Sequence, residues 1–544
     1  MDSEEYSDSD SSYSDFSSES DEDASLDDAR DWCRLDEDNL GPSPPRFPFT
    51  ANPGVKVEIH SSSPLEFFGI FFDDDIVSFI ASETNRFAED FIENNELTPS
   101  SRSHNWKDTD SSEIRVFLAL LILQGILQKP IQKLYWSQIP YFYTPFFGQI
   151  MSERRFALLM KFLHFTNNAT IDTSNHPQPG LRKIYEVYEA LNRKFKSSYI
   201  PECEVTVDES LLLYKGRLVF KQYLPKKKSK FGVKFYQLCE SSTGYIWNSL
   251  VYTGRDMPLW QNANKYSSTT NIVMTLMENL LGKGYCVTLD NFYTSPELAE
   301  ILITNKTDVY GTLRSYRRGI PQEIKDRNIK KGEIIGFQKG KMCILKYMDK
   351  KPIHMLSTIL TIDFVEQCKR KKRSNGDIEE IKTKKPKAVL DYNRTMGGVD
   401  IADQCLSYYP TVRNQQKKYY KKIFRQLLNQ SVWNAFVLFK KCGGRMTHLD
   451  FRLNLMESLF QTYGEKKNLQ LLTSADRLIG RHFPAHIEAT GKKKTLSRVC
   501  IVCSKKFDNK GRRLRKETRF ECKQCKVALC IIPCFERYHT VMDY

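Results

Sequence analysis

An α+β, multidomain chain is what this sequence predicts, on three observations. Two β-branched runs, "CEVTVDES" and "YCVTLDNFYTS", stop at acids, Asp208 and Asp290. Helically spaced apolar and aromatic residues lie on both sides of that region, and six cysteines and a histidine crowd residues 500–539. At 544 residues the chain is long enough for about two to four domains, each with its own core.

The first segment, 1–60, reads as a disordered acidic tail. Residues 1–38 hold sixteen acids against Arg30 and Arg34, and a Pro-rich "GPSPPRFPF" follows; such a composition buries too little apolar surface to fold. Formal net charge is +15, but the tail carries −14 up to residue 38 and the rest of the chain +29. A body that basic points to a polyanionic partner, nucleic acid before membrane. The longest apolar run, "VFLALLILQGIL" at 116–127, is too short to span a bilayer and follows a cap-like "DTDSSE", so it reads as a core helix. No signal peptide opens the sequence, so secretion is not expected. The eight cysteines scattered from Cys33 to Cys442 fit buried thiols in a reducing compartment.

Residues 61–200 are helical in pattern, with aromatic-rich stretches that supply core. From 201 to 313 the periodicity changes: strands at 204–208, 231–239 and 245–252, a helix at 269–281, a strand at 285–290, a helix at 296–305 and a strand at 308–313. This βββαβαβ order is that of an RNase H-like core, whose first and fourth strands are adjacent. Asp208 and Asp290 then fall side by side.

Taken alone, Asp290 is adequately explained as the start of a turn, since Asp-Asn favours turns and Thr294-Ser295-Pro296 looks like a helix N-terminus. A third setting, "NRTMGGVDIADQC", changes the weighing. It puts Asp400 and Asp403 on one helix face at 388–409. Carboxylates gathered from two strand ends and a helix repel unless a cation lies between them, and hard oxygen donors suit magnesium or manganese. Gly397 and Gly398 before the helix permit close backbone packing.

Between these acids, 314–387 reads as an insertion. Its basic runs, Lys369–Arg373 and Lys382–Lys387, resemble a two-part nuclear localisation signal and equally suit a solvated basic loop. Residues 410–475 return to helix, and 476–495 form a basic linker. Lys226, Lys227, Lys228 and Lys230, with Arg413, Lys417 and Lys418, are the candidate phosphate contacts. Each taken singly also fits an ordinary solvated side chain.

At 496–544 the pattern is Cys500-x2-Cys503-x18-Cys522-x2-Cys525-x4-Cys530-x3-Cys534-x4-His539. Paired thiolates on tight turns are zinc ligands; the competing reading is a redox dithiol. Seven donors suggest two zinc ions in an interleaved, cross-brace arrangement with one ligand to find. His482 or His486 could supply it, or a single site leaves some cysteines unligated. Fourteen basic residues against three acids between Lys492 and Lys526 favour DNA as this module's partner.

Together "TVDESLLLYKGR", "VTLDNFYTS", "KPKAVLDYNRTMGGVDIADQCLSYY" and the cysteine-rich end resemble the piggyBac-type DNA transposases, from about residue 60 onward. The resemblance implies an RNase H-like catalytic core interrupted by an insertion. It also implies a split helical domain for dimerisation and DNA binding, 61–200 with 410–475. Asp208, Asp290 and Asp400 match the family's catalytic, metal-holding aspartates and Asp403 its fourth important one. Cys500, Cys503, Cys522, Cys525, Cys530, Cys534 and His539 match its zinc ligands, His482 being a candidate. Family members cut at TTAA sites through hairpinned ends without a footprint. A nuclear homodimer on double-stranded DNA follows as the expectation, with no membrane and no small-molecule substrate. Two other classes share these residues: a domesticated descendant that binds DNA or chromatin, and a structure-directed nuclease.

Overall fold

Asp208 lies inside a ten-residue strand, and the elements around that strand decide where each acid stands. The computed structural model describes residues 32–35, 43–172, 175–225, 230–254, 257, 259–260, 265–372, 378–413, 416–465, 478, 482–487, 496–507 and 512–541, with the backbone alone over 367–372 and 378–383. Two units are present: Met1–Phe72 with Asn168–Arg445, and Asp73–Asn167 with Met446–Tyr544.

The first unit is built on one mixed sheet. Its strands are β1 (Cys33–Arg34), β2 (Glu204–Leu213), β3 (Phe231–Glu240), β4 (Ile246–Val251), β5 (Cys286–Leu289), β6 (Asp308–Thr312), β7 (Ile334–Lys339), β8 (Met342–Met348) and β9 (Pro352–Ser357). Spatial order is β1-β7-β8-β9-β6-β5-β2-β3 followed by an edge pair, Gln222–Tyr223, with β4 also on β3. The first and fourth strands of the expected core, β2 and β5, are parallel neighbours, as are β5 and β6. Strands β4 and β5 are buried at every position, so neither shows the polar alternation of a strand with one solvent-facing side.

The helices of this unit that bear on the site are α1 (Pro64–Gly69), α2 (Tyr185–Ser198), α3 (Ser268–Met277), α4 (Pro296–Thr304), α5 (Lys387–Thr395), α6 (Gly398–Tyr408) and α7 (Tyr419–Lys441). Ser267 and Ser295 cap α3 and α4 by accepting from Thr270 N and Leu298 N, and Pro296 takes the first helical position where its missing N–H costs nothing.

Two expectations about the sheet are corrected here. β2 does not end at Asp208 but runs on to Leu213, because β3 continues to pair with it after β5 has stopped at Leu289. Residues 314–387 are not a separate insertion throughout: Met355–Ser357 of β9 pair with Tyr310–Thr312 of β6, so β7 to β9 extend the same sheet. Only the hairpin Phe364–Lys372 with Ile378–Pro386 forms its own two-stranded sheet.

The segment from residue 43 to 60 does not belong to a disordered tail, because the core supplies its hydrogen bonds. Ser43 Oγ donates to Asp363 Oδ2 (3.0 Å), Phe47 N to Asp308 Oδ2 (2.9 Å) and Thr50 N to Lys283 O (3.0 Å). Gly284, at φ +76°, leaves room for the Pro48 carbonyl where a Cβ would collide with it. The acidic stretch 1–31 lies outside the described residues.

Domain limits also shift. The sequence groups α7 with the second helical domain, but Asn434 exchanges hydrogen bonds with the Ile246 backbone and Trp433 Nε1 donates to Gly244 O (2.8 Å), so it belongs with the sheet. Phe67–Phe439, Phe71–Phe195 and Phe72–Phe424 ring contacts complete this core.

In the second unit, the helices Asp74–Glu93, Ser111–Ile126, Glu153–Phe162 and His448–Tyr463 each start with a side-chain cap. Asp73, Asp110, Ser152 and Thr447 accept from the backbone N–H three residues on. Ser111–Ile126 is buried at every position from Ile114 to Gly125, the core helix the sequence predicts. No helix among the described residues is long and apolar enough to cross a membrane.

Candidate active site and metal centres

The last in-register pair of β2 and β5 is Val207 with Leu289. Asp208 and Asp290 each come one residue later, on strands about 4.8 Å apart. The two residues are therefore backbone neighbours at the end of that pairing.

Each acid has a local holder. Glu209 N donates to Asp208 Oδ1 (2.8 Å), and Phe292 N donates to Asp290 Oδ1 (2.8 Å) within a turn closed by Thr294. The turn expected at Asp290 is real and also aims an acid. Ser210, two residues past Asp208 and so on the same face of β2, donates to Asp403 Oδ1 (2.6 Å). α6 is seated by a close approach: a Cβ on Gly398 would lie 3.0 Å from Glu240 O, whereas around Gly397 nothing comes nearer than 4.0 Å. Of the two glycines singled out, Gly398 is the one that packing requires.

All four acids act on shared neighbours. Burial and then the charges of Asp290, Asp208 and Asp400 hold the Tyr392 hydroxyl above its ordinary pKa, against a Thr312 hydrogen bond that lowers it. Burial, Asp403 and Asp208 do the same to the Cys239 thiol. Burial also raises the Asp290 carboxyl, opposed by the Phe292 N–H and reinforced by Glu209. Asp208, Asp290 and Asp403 are half-buried, and Asp400 is exposed. Among the described residues the acids do not close into a group with ligand atoms within 4.8 Å of one another.

Beneath this face, on the other side of β2, lies a cation the sequence did not single out. Lys234 is buried, 3.9 Å from Glu209 Oε2, with its ammonium over the Tyr236 and Phe292 rings at 4.6 and 4.9 Å. Only its place in a β-branched and aromatic run hinted at burial.

Of the basic candidates, Lys230, Lys417 and Lys418 are exposed and Arg413 is half-buried; Lys226, Lys227 and Lys228 lie outside the described residues. Tyr214, just past β2, donates to Lys417 O (2.6 Å), so this stretch is tethered to the acid-bearing strand.

The cysteine-rich end forms two groups, His482, Cys522, Cys525 and His539, and Cys500, Cys503, Cys530 and Cys534, each with ligand atoms within 4.8 Å. In sequence the groups alternate, the cross-brace order. Cys503 Sγ lies 3.5 Å from Cys534 Sγ and 4.0 Å from Cys530 Sγ, close to the roughly 3.8 Å that tetrahedral zinc–thiolate bonds of about 2.3 Å impose. His482 Nδ1 is 3.4 Å from both Cys522 Sγ and Cys525 Sγ. His539 donates through Nδ1 to Phe535 O (2.7 Å), which leaves Nε2 as the lone-pair nitrogen, 3.7 Å from Cys525 Sγ. The donor set fits two zinc ions.

His486, the alternative eighth ligand, instead packs its ring against Phe520 (centroids 4.6 Å apart, tilted by 36°) from the strand Pro484–His486, which pairs with Phe520–Cys522. The expected linker 476–495 therefore contains part of the metal module.

Comparison with known proteins agrees with this arrangement. A family model described as Transposase IS4 matches residues 63–436, and one described as a DDE_Tnp_1-like zinc finger matches 481–540. The human PiggyBac transposable element-derived protein 3 is 25% identical over 496 residues, 88% of this chain and 76% of its own length. The human PiggyBac transposable element-derived protein 5 is 23% identical, over 73% of this chain and 74% of its own. In fold, the chain is similar to the protein in a cryo-EM structure of a piggyBac transposase synaptic complex with hairpin DNA, with TM-score 0.65, 23% identity, and coverage of 88% of this chain and 98% of that one. With a transposase model matched over well more than half its length, this chain belongs to the piggyBac-type transposase family.

Proposed function

We propose that this chain is a cut-and-paste DNA transposase that acts at TTAA sites in the nucleus, as a homodimer on double-stranded transposon ends. The observation that carries the reading is the placing of Asp208 and Asp290 one residue past the same cross-strand pair, with Ser210 tying Asp403 of α6 to the same strand. Asp208, Asp290 and Asp400 would hold magnesium or manganese, with Asp403 in support. Such ions, when bound, would supply activation of a hydroxyl for in-line attack on a phosphodiester and stabilisation of the leaving oxygen. The chain's own residues fix the acids from the sheet and α6 and keep three of them, Asp208, Asp290 and Asp403, half-buried. They also present Lys230, Lys417 and Lys418 to the DNA backbone. Water as nucleophile, and then the freed 3′-hydroxyl, accounts for hairpinned ends without a covalent protein intermediate. The piggyBac transposase of similar fold, held in a synaptic complex with hairpin DNA, supports this reading.

The names of the human relatives, "transposable element-derived", favour a second reading, a chain that binds DNA without moving it. Excision in cells from a donor carrying the DNA that flanks the gene separates the two. Resealing to a single TTAA supports the transposase. Tight end binding with no excision supports the binding protein.

A further inference from the structure

Thr206, Thr288 and Tyr310 form one row across β2, β5 and β6, since Thr206 is in register with Thr288 and Thr288 with Tyr310. In-register residues of parallel strands project to one face. Their hydroxyls meet at one residue, Thr395, the last of α5. Thr206 Oγ1 donates to Thr395 O (2.5 Å), Thr288 Oγ1 donates to Thr395 Oγ1 (2.9 Å), and Tyr310 OH bonds the same oxygen. Thr395 Oγ1 donates in turn to Asp391 O (2.9 Å), so its proton is committed and Tyr310 must be the donor to it. One donated and two accepted bonds use the full capacity of a hydroxyl. Thr206, Thr288 and Tyr310 are fully buried and Thr395 is 4% exposed, so no water substitutes readily.

The position of this knot gives it meaning. Two residues beyond Thr206 and Thr288 are Asp208 and Asp290; five beyond Thr395 is Asp400. We propose that Thr395 is a positioning residue that pins the end of α5, three residues before α6 begins, to the strands bearing Asp208 and Asp290, and so sets where the helix carrying Asp400 and Asp403 starts and the carboxylate spacing for divalent cations. This rests on the metal-dependent reading of the acids given above. A backbone bond to Thr395 O alone would fix only its height above β2. The two bonds to Oγ1 add β5 and β6 and make the placement three-cornered.

The test is Mn2+ binding to the full-length protein, followed by the Mn2+ electron paramagnetic resonance signal, alongside single-turnover cleavage of transposon-end DNA. Thr395→Val keeps the shape and removes the hydroxyl; Thr395→Ser keeps the hydroxyl. We expect Thr395→Val to weaken Mn2+ binding at least about fivefold and slow cleavage by roughly 100-fold with end binding unchanged, and Thr395→Ser to restore both. Tyr310→Phe, which removes a single bond, gives a smaller loss in the same direction and serves if the valine variant does not fold. Wild-type Mn2+ affinity in Thr395→Val, or in Tyr310→Phe where the valine variant is unfolded, overturns the positioning role while leaving the acids' role standing. A wild-type protein without Mn2+ binding that depends on Asp208 overturns both.

Discussion

Ser210 Oγ donates to Asp403 Oδ1 at 2.6 Å, which joins the acid-bearing strand to the acid-bearing helix by a single buried hydroxyl. A hydrogen bond to a charged group of this kind is worth about 1.5–3 kcal/mol. Ser210→Ala should therefore slow metal-dependent cleavage by about tenfold with little change in end binding. Cleavage kinetics under single turnover check it; an unchanged rate means that Asp403 is held by its other partners.

Gly398 and Gly397 make a matched pair of tests. A Cβ at 398 meets the Glu240 carbonyl at 3.0 Å and Ser241 Cα at 3.2 Å, both backbone, so α6 must move by a few tenths of an ångström. Gly398→Ala should lower the melting temperature by several degrees and cut cleavage, at a cost of about 1–3 kcal/mol. Gly397→Ala should be silent in both. Equal effects would show that the close approach is not what the glycines serve.

Zinc content distinguishes the eighth ligand. The purified chain should carry two zinc ions, measured by elemental mass spectrometry, and His486→Ala should keep both. His482→Ala should lose the ion of the His482, Cys522, Cys525 and His539 group while retaining that of the four cysteines. Loss of both ions in that variant would indicate that the module folds only when fully loaded.

In the second unit, acid should act through His448. Burial, and then the positive charge of Arg452, hold its imidazole at about 3, and Arg452 Nε donates to its Nε2 at 2.9 Å. The unfolded imidazole titrates near 6.5, so the folded state binds fewer protons between these values. The stabilisation is complete above about pH 6.5 and is lost as pH falls toward 3, by at most about 1.4 kcal/mol per unit. His448→Gln keeps an acceptor without the titration, so its denaturation midpoint should fall less between pH 7 and 5 than that of wild type. Parallel pH profiles would remove His448 as the cause.

The βββαβαβ core is legible because parallel, buried strands write β-branched runs such as Val205-Thr206-Val207, and the acids Asp208 and Asp290 stand where the pairing of β2 with β5 stops. The alternation of zinc ligands is legible because thiolate spacing is local. Thr395 is not, since a threonine at a helix end looks ordinary until three strands are known to converge on it. The strap from 43 to 50 is hidden for a related reason: Pro-rich segments satisfy their backbone wherever a partner is found, and here Asp308 and Lys283 supply it. β7 to β9 read as an insertion because an edge-to-edge sheet extension leaves no mark in local composition.

The most direct test of the account is cleavage of transposon-end DNA by purified protein, with Mg2+ varied and with Asp208→Asn, Asp290→Asn and Asp400→Asn compared with wild type. The account predicts metal-dependent strand cleavage by wild type alone, with end binding retained in all three variants. Cleavage that survives Asp290→Asn would contradict it, because the acid beside Asp208 would then have no part in the chemistry.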